Sequence, residues 1–384
     1  MLPRRRDAAA VGIGYDEIPN RMEISRIPVA TPPPYEAVIG DGLLNQAGAH
    51  LRRVLPAGRR LWVVTVAPVR RRWGKQLMAS LTRAGFAAEW LEMPDGERHK
   101  RLATVEKLAE ELVRRGADRS AAIAAFGGGV VGDVTGLLAS LFMRGVGLVQ
   151  IPTTVQAQVD AAIGGKTGVN LRAGKNLVGT FHQPKVVLID PAVLATLPER
   201  EFRAGLYESL KCGVIGRPPL FERLEKIDLR KFRRDAAGLQ WVIAESVGLK
   251  AEVVSADERE SGLRRVLNFG HTIGHALEAA TEYRHFLHGE AVAWGMIAAA
   301  DIARAVGKLD GTSSERIGQA VRGVGRLPKV EVSSQRILRL LQADKKTRHG
   351  VVHFVLPTEI GKVEIVSDVP AQIVKEAVDS MRRQ

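Results

Sequence analysis

The sequence predicts an α/β N-terminal half built on a parallel sheet, followed by a mainly α-helical C-terminal half. Three observations carry that prediction. Between residues 35 and 189, short apolar runs alternate with helix-length amphipathic segments, the rhythm of βαβ units. The runs are continuously apolar, as expected of strands covered on both faces. After residue 198 helical periods dominate through Ala305, and no convincing strand returns until Val351–Leu356.

In chain order, residues 1–20 show no periodicity and read as a mobile extension. Pro32-Pro33-Pro34 breaks structure ahead of a strand at Tyr35–Ile39, which meets a turn at Gly40-Asp41-Gly42. Leu61–Val66, Ala121–Phe126, Gly147–Ile151 and Val186–Ile189 read as buried parallel strands; Trp73–Ala84 and Ala103–Arg115 read as helices between them. Thr196-Leu197-Pro198-Glu199 has the form of a capping box with proline in the first turn, opening a helix over Glu199–Val214. The expected division is therefore 1–20, 21–198 and 199–384.

Composition excludes several classes. With 384 residues, 45% hydrophobic and 26% charged, the chain is long enough for two packed units. A formal net charge of +14 favours anionic partners. The basic residues are scattered apart from Arg70-Arg71-Arg72 and Arg114-Arg115, without a nucleic-acid motif, so they read as a solvated surface. The single cysteine, Cys212, rules out an intramolecular disulfide; it lacks a histidine partner and reads as buried filler. Arg4-Arg5-Arg6 is not followed by the apolar run of a signal peptide. The most apolar window, Ala121–Pro152, is interrupted by seven glycines, Asp133 and Arg144 and cannot span a bilayer. The expectation is a soluble cytoplasmic protein that binds neither nucleic acid nor membrane.

Two constellations carry chemistry. The first is Phe126-Gly127-Gly128-Gly129-Val130-Val131-Gly132-Asp133, between an apolar strand and a helix expected over Val134–Phe142. Such a turn lets backbone N–H groups approach a pyrophosphate; tight strand-to-helix packing is the other reading, and the spacing is not G-x-G-x-x-G. Pro152-Thr153-Thr154, Gly164-Gly165-Lys166-Thr167-Gly168 and Gly174-Lys175-Asn176 add three donor-rich turns, together suited to a polyanionic ligand. The second constellation is Asn268-Phe269-Gly270-His271-Thr272-Ile273-Gly274-His275 with Leu287-His288-Gly289-Glu290. His271 and His275 share a helix face, and His288 begins another apolar helix, a pattern suited to a divalent metal such as zinc. Spacing alone points to both His271 and His275 as ligands. It leaves the carboxylate open between Glu208, which shares a face with Lys211, and Glu290.

From about residue 35 onward the chain resembles the 3-dehydroquinate synthase family of sugar-phosphate cyclases. The resemblance is carried by PDGERHK (94–100), GGGVVGDVTG (127–136), RGV (144–146), IPTTVQAQVDAAIGGKTGVN (151–170), GKNLVGTFHQP (174–184), TLPEREFRAGLYESLK (196–211), ERESGLRRVLNFGHTIGHALE (258–278) and LHGEAVAWGM (287–296). It implies a dehydroquinate synthase-like fold, NAD and Zn2+ or Co2+ as cofactors, and a homodimer. It implies conversion of 3-deoxy-D-arabino-heptulosonate 7-phosphate to 3-dehydroquinate and phosphate by transient oxidation, elimination, re-reduction and aldol closure. Glu208, His271 and His288 match the family's metal ligands, leaving His275 beside the substrate. Glu97, Lys100, Gly128, Gly129, Val130, Asp133, Thr153, Thr154, Lys175, Asn176 and Thr196 match its NAD contacts. Asp160, Lys166, Lys211, Lys250, Arg264 and Asn268 match substrate contacts, with Arg144 a phosphate contact across the dimer. Asp344-Lys345-Lys346 matches a motif with one substrate lysine, taken as Lys345. Val66 departs from the Asp or Asn that often meets the adenosine ribose. The alternatives are a related cyclase with another substrate, or a metal-dependent polyol dehydrogenase lacking the Lys166, Lys211 and Lys250 set.

Overall fold

Along Arg60–Thr65 successive side chains leave opposite faces of an extended strand. Leu61 and Val63 join one apolar core while Trp62 and Val64 join another; in Ala122–Gly127 Ala124 and Phe126 separate in the same way from Ile123 and Ala125. A sheet buried on both faces is the physical reason for the continuous apolar runs. The computed structural model describes residues 23–56, 58–347, 352–367 and 369–383, without the side chains of 343–347. The expected extension at 1–20, the start of the Val351 strand and the Lys345 side chain lie outside the described residues.

The sheet has seven strands: β1 (Ser25–Val29), β2 (Tyr35–Ile39), β3 (Arg60–Thr65), β4 (Ala87–Glu92), β5 (Ala122–Gly127), β6 (Gly147–Pro152) and, later in the chain, β9 (Val186–Ile189). Their order is β1-β2-β9-β6-β5-β3-β4. β1 pairs antiparallel with β2, and every other pairing is parallel. The helices expected from Trp73 and Ala103 run Ala67–Arg83 and Leu102–Arg114; Pro68 in the first turn suits the earlier start.

Two expectations are corrected. The GGKTG and GKN segments are not separate turns: β7 (Lys166–Leu171) and β8 (Gly174–Phe181) form an antiparallel hairpin. Gly164 (φ +94°) and Gly165 (φ +64°) supply the left-handed turn into it. The Thr196 capping box is also absent. The helix Glu199–Gly216 begins after Pro198 with no side-chain cap, and the Thr196 hydroxyl accepts from the Trp73 indole N–H at 3.1 Å.

Beyond Glu199 the chain is helical until the hairpin β10 (Phe354–Glu359) and β11 (Lys362–Val366). Three of its helices, Glu199–Gly216, His271–Ala280 and His288–Ala305, pack closely. Two glycines permit this. A Cβ on Gly289 would lie 1.8 Å from Ala204 O, and one on Gly295 would lie 1.8 Å from Gly270 O. Among the described residues no helix is long and apolar enough to cross a membrane.

Gly295→Ala must therefore push the His271 and His288 helices apart. We expect a loss of about 1–3 kcal/mol, the usual cost of overpacking, read as a lower urea midpoint at unchanged slope. Gly248→Ala is the opposite control: its new methyl would meet only Arg217 Nη2, at 3.9 Å. Replacing this helix-interior glycine should stabilise by about 0.5–1 kcal/mol.

Candidate active site

β3 leads to the edge strand β4, and the chain then returns to the other side of β3 as β5. Such a reversal opens a crevice at the carboxyl ends of the strands. Here β5 ends at Gly127, Gly128 is extended, and the helix Gly129–Leu141 starts at once, five residues before the expected Val134. A Cβ on Gly128 would stand 3.1 Å from Thr154 Cγ2, and one on Gly129 would stand 3.4 Å from Ala161. The glycines thus serve close packing as well as access. Val130 is half-buried on the first turn. Thr153 N donates to Gly127 O at 2.9 Å, and Thr154 Oγ1 accepts from Ala157 N at 3.2 Å, fixing the threonine pair beside the glycine turn.

The β7–β8 hairpin brings the other crevice residues together. Lys100 Nζ lies 2.5 Å from both Asp133 Oδ2 and Asn176 Oδ1. Asn170 donates to Glu97 Oε1 at 2.8 Å and accepts from Asn176 N at 2.9 Å. Lys175 Nζ lies 2.9 Å from Glu278 Oε1 and 3.7 Å from Glu97 Oε1. The Thr196 hydroxyl accepts from the Trp73 indole and donates to Val193 O.

A second group lies around Asp160, in a π-helical turn at Ala157–Ala161, a conformation that often marks functional sites. Lys250 Nζ donates to its main-chain oxygen and to its Oδ1, each at 2.6 Å; Lys211 Nζ is 3.9 Å from the same Oδ1. Burial pushes the Asp160 carboxyl up, but the two ammonium groups outweigh it and hold it at about 2. Asp257 shapes the next loop by accepting from the N–H groups of Ser261, Gly262 and Arg264 at 2.8, 2.8 and 3.0 Å. In that loop Glu260, at φ +59°, pairs with Lys166 and accepts from Asn268 Nδ2 at 2.9 Å. The buried Arg264 guanidinium donates to Glu258 O and to Gly164 O, the latter at 3.1 Å. Arg144 is exposed, at φ +67°, after the helix Gly129–Leu141 and outside this group.

The third group is made by the three close-packed helices. His271, His275 and His288 place ring nitrogens within 4.8 Å of one another. Glu208 faces them, its Oε1 3.9 Å from His271 Nε2 and 3.4 Å from His288 Nε2. The ion pair of Glu208 with Lys211, expected at the surface if Glu208 were no ligand, is buried, with Nζ 2.6 Å from Oε2. Apart from these charge contacts, neither Glu208 oxygen has a hydrogen-bond partner of good geometry among the described residues. Burial pushes this carboxyl up, but Lys211 and the imidazoles of His288 and His271 hold it well below the usual carboxylate range.

The outer nitrogens separate the three histidines. His271 Nδ1 lies 3.1 Å from Phe269 O and His288 Nδ1 lies 3.1 Å from Glu278 Oε2. Carbonyls and carboxylates only accept, so each Nδ1 carries a proton and each ring presents its Nε2, the nitrogen a metal would take, toward Glu208. Among the described residues no such partner holds His275, which is exposed. The donor set of one buried carboxylate and two oriented imidazoles fits zinc or cobalt. Glu290, the rival carboxylate, is taken: Arg200 grips both its oxygens at 2.7 Å, and Leu287 N donates to it at 2.8 Å.

Sequence reasoning missed Glu278, Glu260, Asn170 and Arg200. Glu278 stands at i+7 from His271, two turns along the same helix, and that spacing was the one signal for it; the other three become visible only through contacts across the fold.

Two outcomes follow. Glu290→Ala should lower stability yet leave metal stoichiometry near one by elemental analysis, whereas Glu208→Ala should lose the metal. Asp257, depressed chiefly by the Arg264 N–H, stabilises fully above the unfolded carboxylate value of about 3.9. That contribution drains as pH falls toward its lower folded value. Asp257→Asn should therefore lower the urea midpoint at pH 7, with a gap that narrows below about pH 4.

Comparison with known proteins follows the same lines. A model of the 3-dehydroquinate synthase N-terminal region matches residues 90–204, and one of the C-terminal region matches 205–347. A 3-dehydroquinate synthase of Koribacter versatilis (strain Ellin345) is 55% identical over 360 residues, 94% of this chain and 98% of the relative. The structure of 2-epi-5-epi-valiolone synthase from Streptomyces hygroscopicus subsp. jinggangensis 5008, with NAD+ and Zn2+ bound, has a TM-score of 0.83 at 33% identity. It covers 91% of this chain and 97% of that one. That of 2-deoxy-scyllo-inosose synthase with carbaglucose-6-phosphate, NAD+ and Co2+ has a TM-score of 0.80 at 26% identity, covering 93% and 99%. With both regions matched and identity this high along nearly its whole length, this chain belongs to the 3-dehydroquinate synthase family.

Proposed function

We propose that the three groups of residues divide the work of the 3-dehydroquinate synthase reaction, the activity of this chain. The reaction is a phosphorus–oxygen lyase step of the shikimate pathway, turning 3-deoxy-D-arabino-heptulosonate 7-phosphate into 3-dehydroquinate and phosphate. The observation that carries the reading is Glu208: a fully buried carboxylate that faces two imidazoles whose outer nitrogens are held.

Residues 21–198 supply the crevice for NAD: the turn at Gly128, Gly129 and Val130, with Glu97, Lys100, Asp133, Thr153, Thr154, Lys175, Asn176 and Thr196. Residues 199–384 supply Glu208, His271 and His288 for Zn2+ or Co2+. Bound there, NAD offers reversible hydride transfer and the metal offers Lewis-acid stabilisation of developing oxygen charge.

The chain's own groups bind and orient the phosphorylated sugar acid. Lys250, Arg264 and Asn268 meet its carboxylate and hydroxyls. Arg264 has five donors and two main-chain acceptors, so part of its fork remains for substrate. Lys166 meets the phosphate, with Lys345 added from the tail. Asp160 keeps Lys250 in place, and Lys211 balances Glu208. His275, which no hydrogen bond holds among the described residues, is left to move protons.

Arg144 completes the phosphate site from a second copy in a homodimer. Exposed Leu141, Met143, Leu177 and Phe181 around Arg144 and on β8, which among the described residues is paired only with β7, support that contact. The cytoplasm is the proposed location.

The deciding experiment follows phosphate and NADH in one reaction with the heptulosonate phosphate, zinc and substoichiometric NAD. Phosphate should exceed the NAD supplied many-fold with no steady accumulation of NADH. A chelator should stop turnover, and zinc or cobalt should restore it. One NADH per product without phosphate release would instead identify a polyol dehydrogenase.

A further inference from the structure

One carboxylate touches both the proposed dinucleotide crevice and the proposed metal site. Glu278 is almost completely buried, on the His271 helix. Its Oε2 lies 3.1 Å from Nδ1 of His288, and its Oε1 lies 2.9 Å from Nζ of Lys175 on β8. Lys175 is itself backed by the Tyr283 ring, 4.4 Å from its centroid. The two partners of Glu278 come from segments more than a hundred residues apart.

We propose that Glu278 is a positioning residue that makes metal affinity depend on whether the dinucleotide crevice is filled. The proposal rests on the reading above, in which Lys175 meets NAD and His288 meets the metal. A carboxylate shared between an ammonium and an imidazole N–H accepts less strongly from each than it would from one alone. The phosphates of a bound dinucleotide compete for the Lys175 ammonium. As Lys175 turns toward them, Glu278 is left to His288. A stronger acceptor at Nδ1 makes the Nε2 of that ring a better donor to a cation, which is how outer partners tune metal sites. NAD should therefore tighten metal binding, and linkage requires the metal to tighten NAD binding by the same factor.

The test measures Zn2+ affinity of the full-length chain by chelator competition, with and without saturating NAD. In the unaltered protein NAD should tighten Zn2+ binding about fivefold or more, the lower range of site-to-site coupling. Glu278→Gln should weaken Zn2+ binding by about 10–100-fold and reduce the NAD effect to less than about twofold. Lys175→Met, which frees Glu278 permanently, should bind Zn2+ more tightly than the unaltered protein without NAD, with little further gain when NAD is added. This variant decides the matter if Glu278→Gln does not fold. An equal NAD effect in the unaltered protein and Glu278→Gln, no NAD effect at all, or weaker Zn2+ binding in Lys175→Met would overturn the proposal. Failure of the underlying metal reading would look different: Zn2+ affinity would be unchanged in His271→Ala.

Discussion

The site is organised around a carboxylate that cannot stay buried alone. Glu208 is wholly inside the protein, where an uncompensated charge costs several kcal/mol even after relaxation, on the order of the stability of a whole domain. Its compensation comes from every side: Lys211 at 2.6 Å, and the inner nitrogens of His288 and His271 at 3.4 and 3.9 Å. Each of those has a counter-group in turn. Lys211 reaches Asp160, which holds Lys250; His288 reaches Glu278, which holds Lys175. The charges alternate outward from Glu208 until they arrive at groups that face the sheet crevice.

Such a network demands helices closer together than ordinary side chains allow. Gly289 seats the His288 helix against Ala204, one turn before Glu208, and Gly295 seats it against Gly270, at the start of the His271 helix. Arg200 and Glu290 then fix where the His288 helix begins. Glu290 therefore works beside the metal candidates without joining them: it sets the position of His288, and both its oxygens are held by Arg200 and Leu287 N.

The proposed substrate side follows a related logic. Lys250 is buried and its ammonium is pushed down by that burial, which the Asp160 carboxylate opposes. Lys166 is more open and rests on Glu260, a residue held in a left-handed conformation by a loop that Asp257 ties together. Cations already paired with carboxylates are kept in place, and an incoming anion must be a stronger partner to take them over. A doubly charged phosphate and a carboxylate on one small molecule meet that condition; an uncharged polyol does not.

Much of this was legible in the chain alone because it is local. Continuous apolar runs fixed the parallel strands, since both faces of the sheet are buried. Glycine-rich turns marked the strand ends, and motif blocks in unbroken order identified the family. The proposed ligands Glu208, His271 and His288 come from matching those blocks; spacing by itself points to His271 and His275, because helical period reports which side chains share a face and not where a ring nitrogen points. That direction depends on Phe269 O and Glu278, and on helix approach set by glycines far along the chain. The same limit explains the GGKTG and GKN segments, read as turns because hairpin pairing is a contact between segments, and the Thr196 cap, undone by Trp73 more than a hundred residues away. Residue type and local period determined which groups this protein owns; only tertiary packing decided which of them meet, because charge pairing and ring orientation are set across the fold.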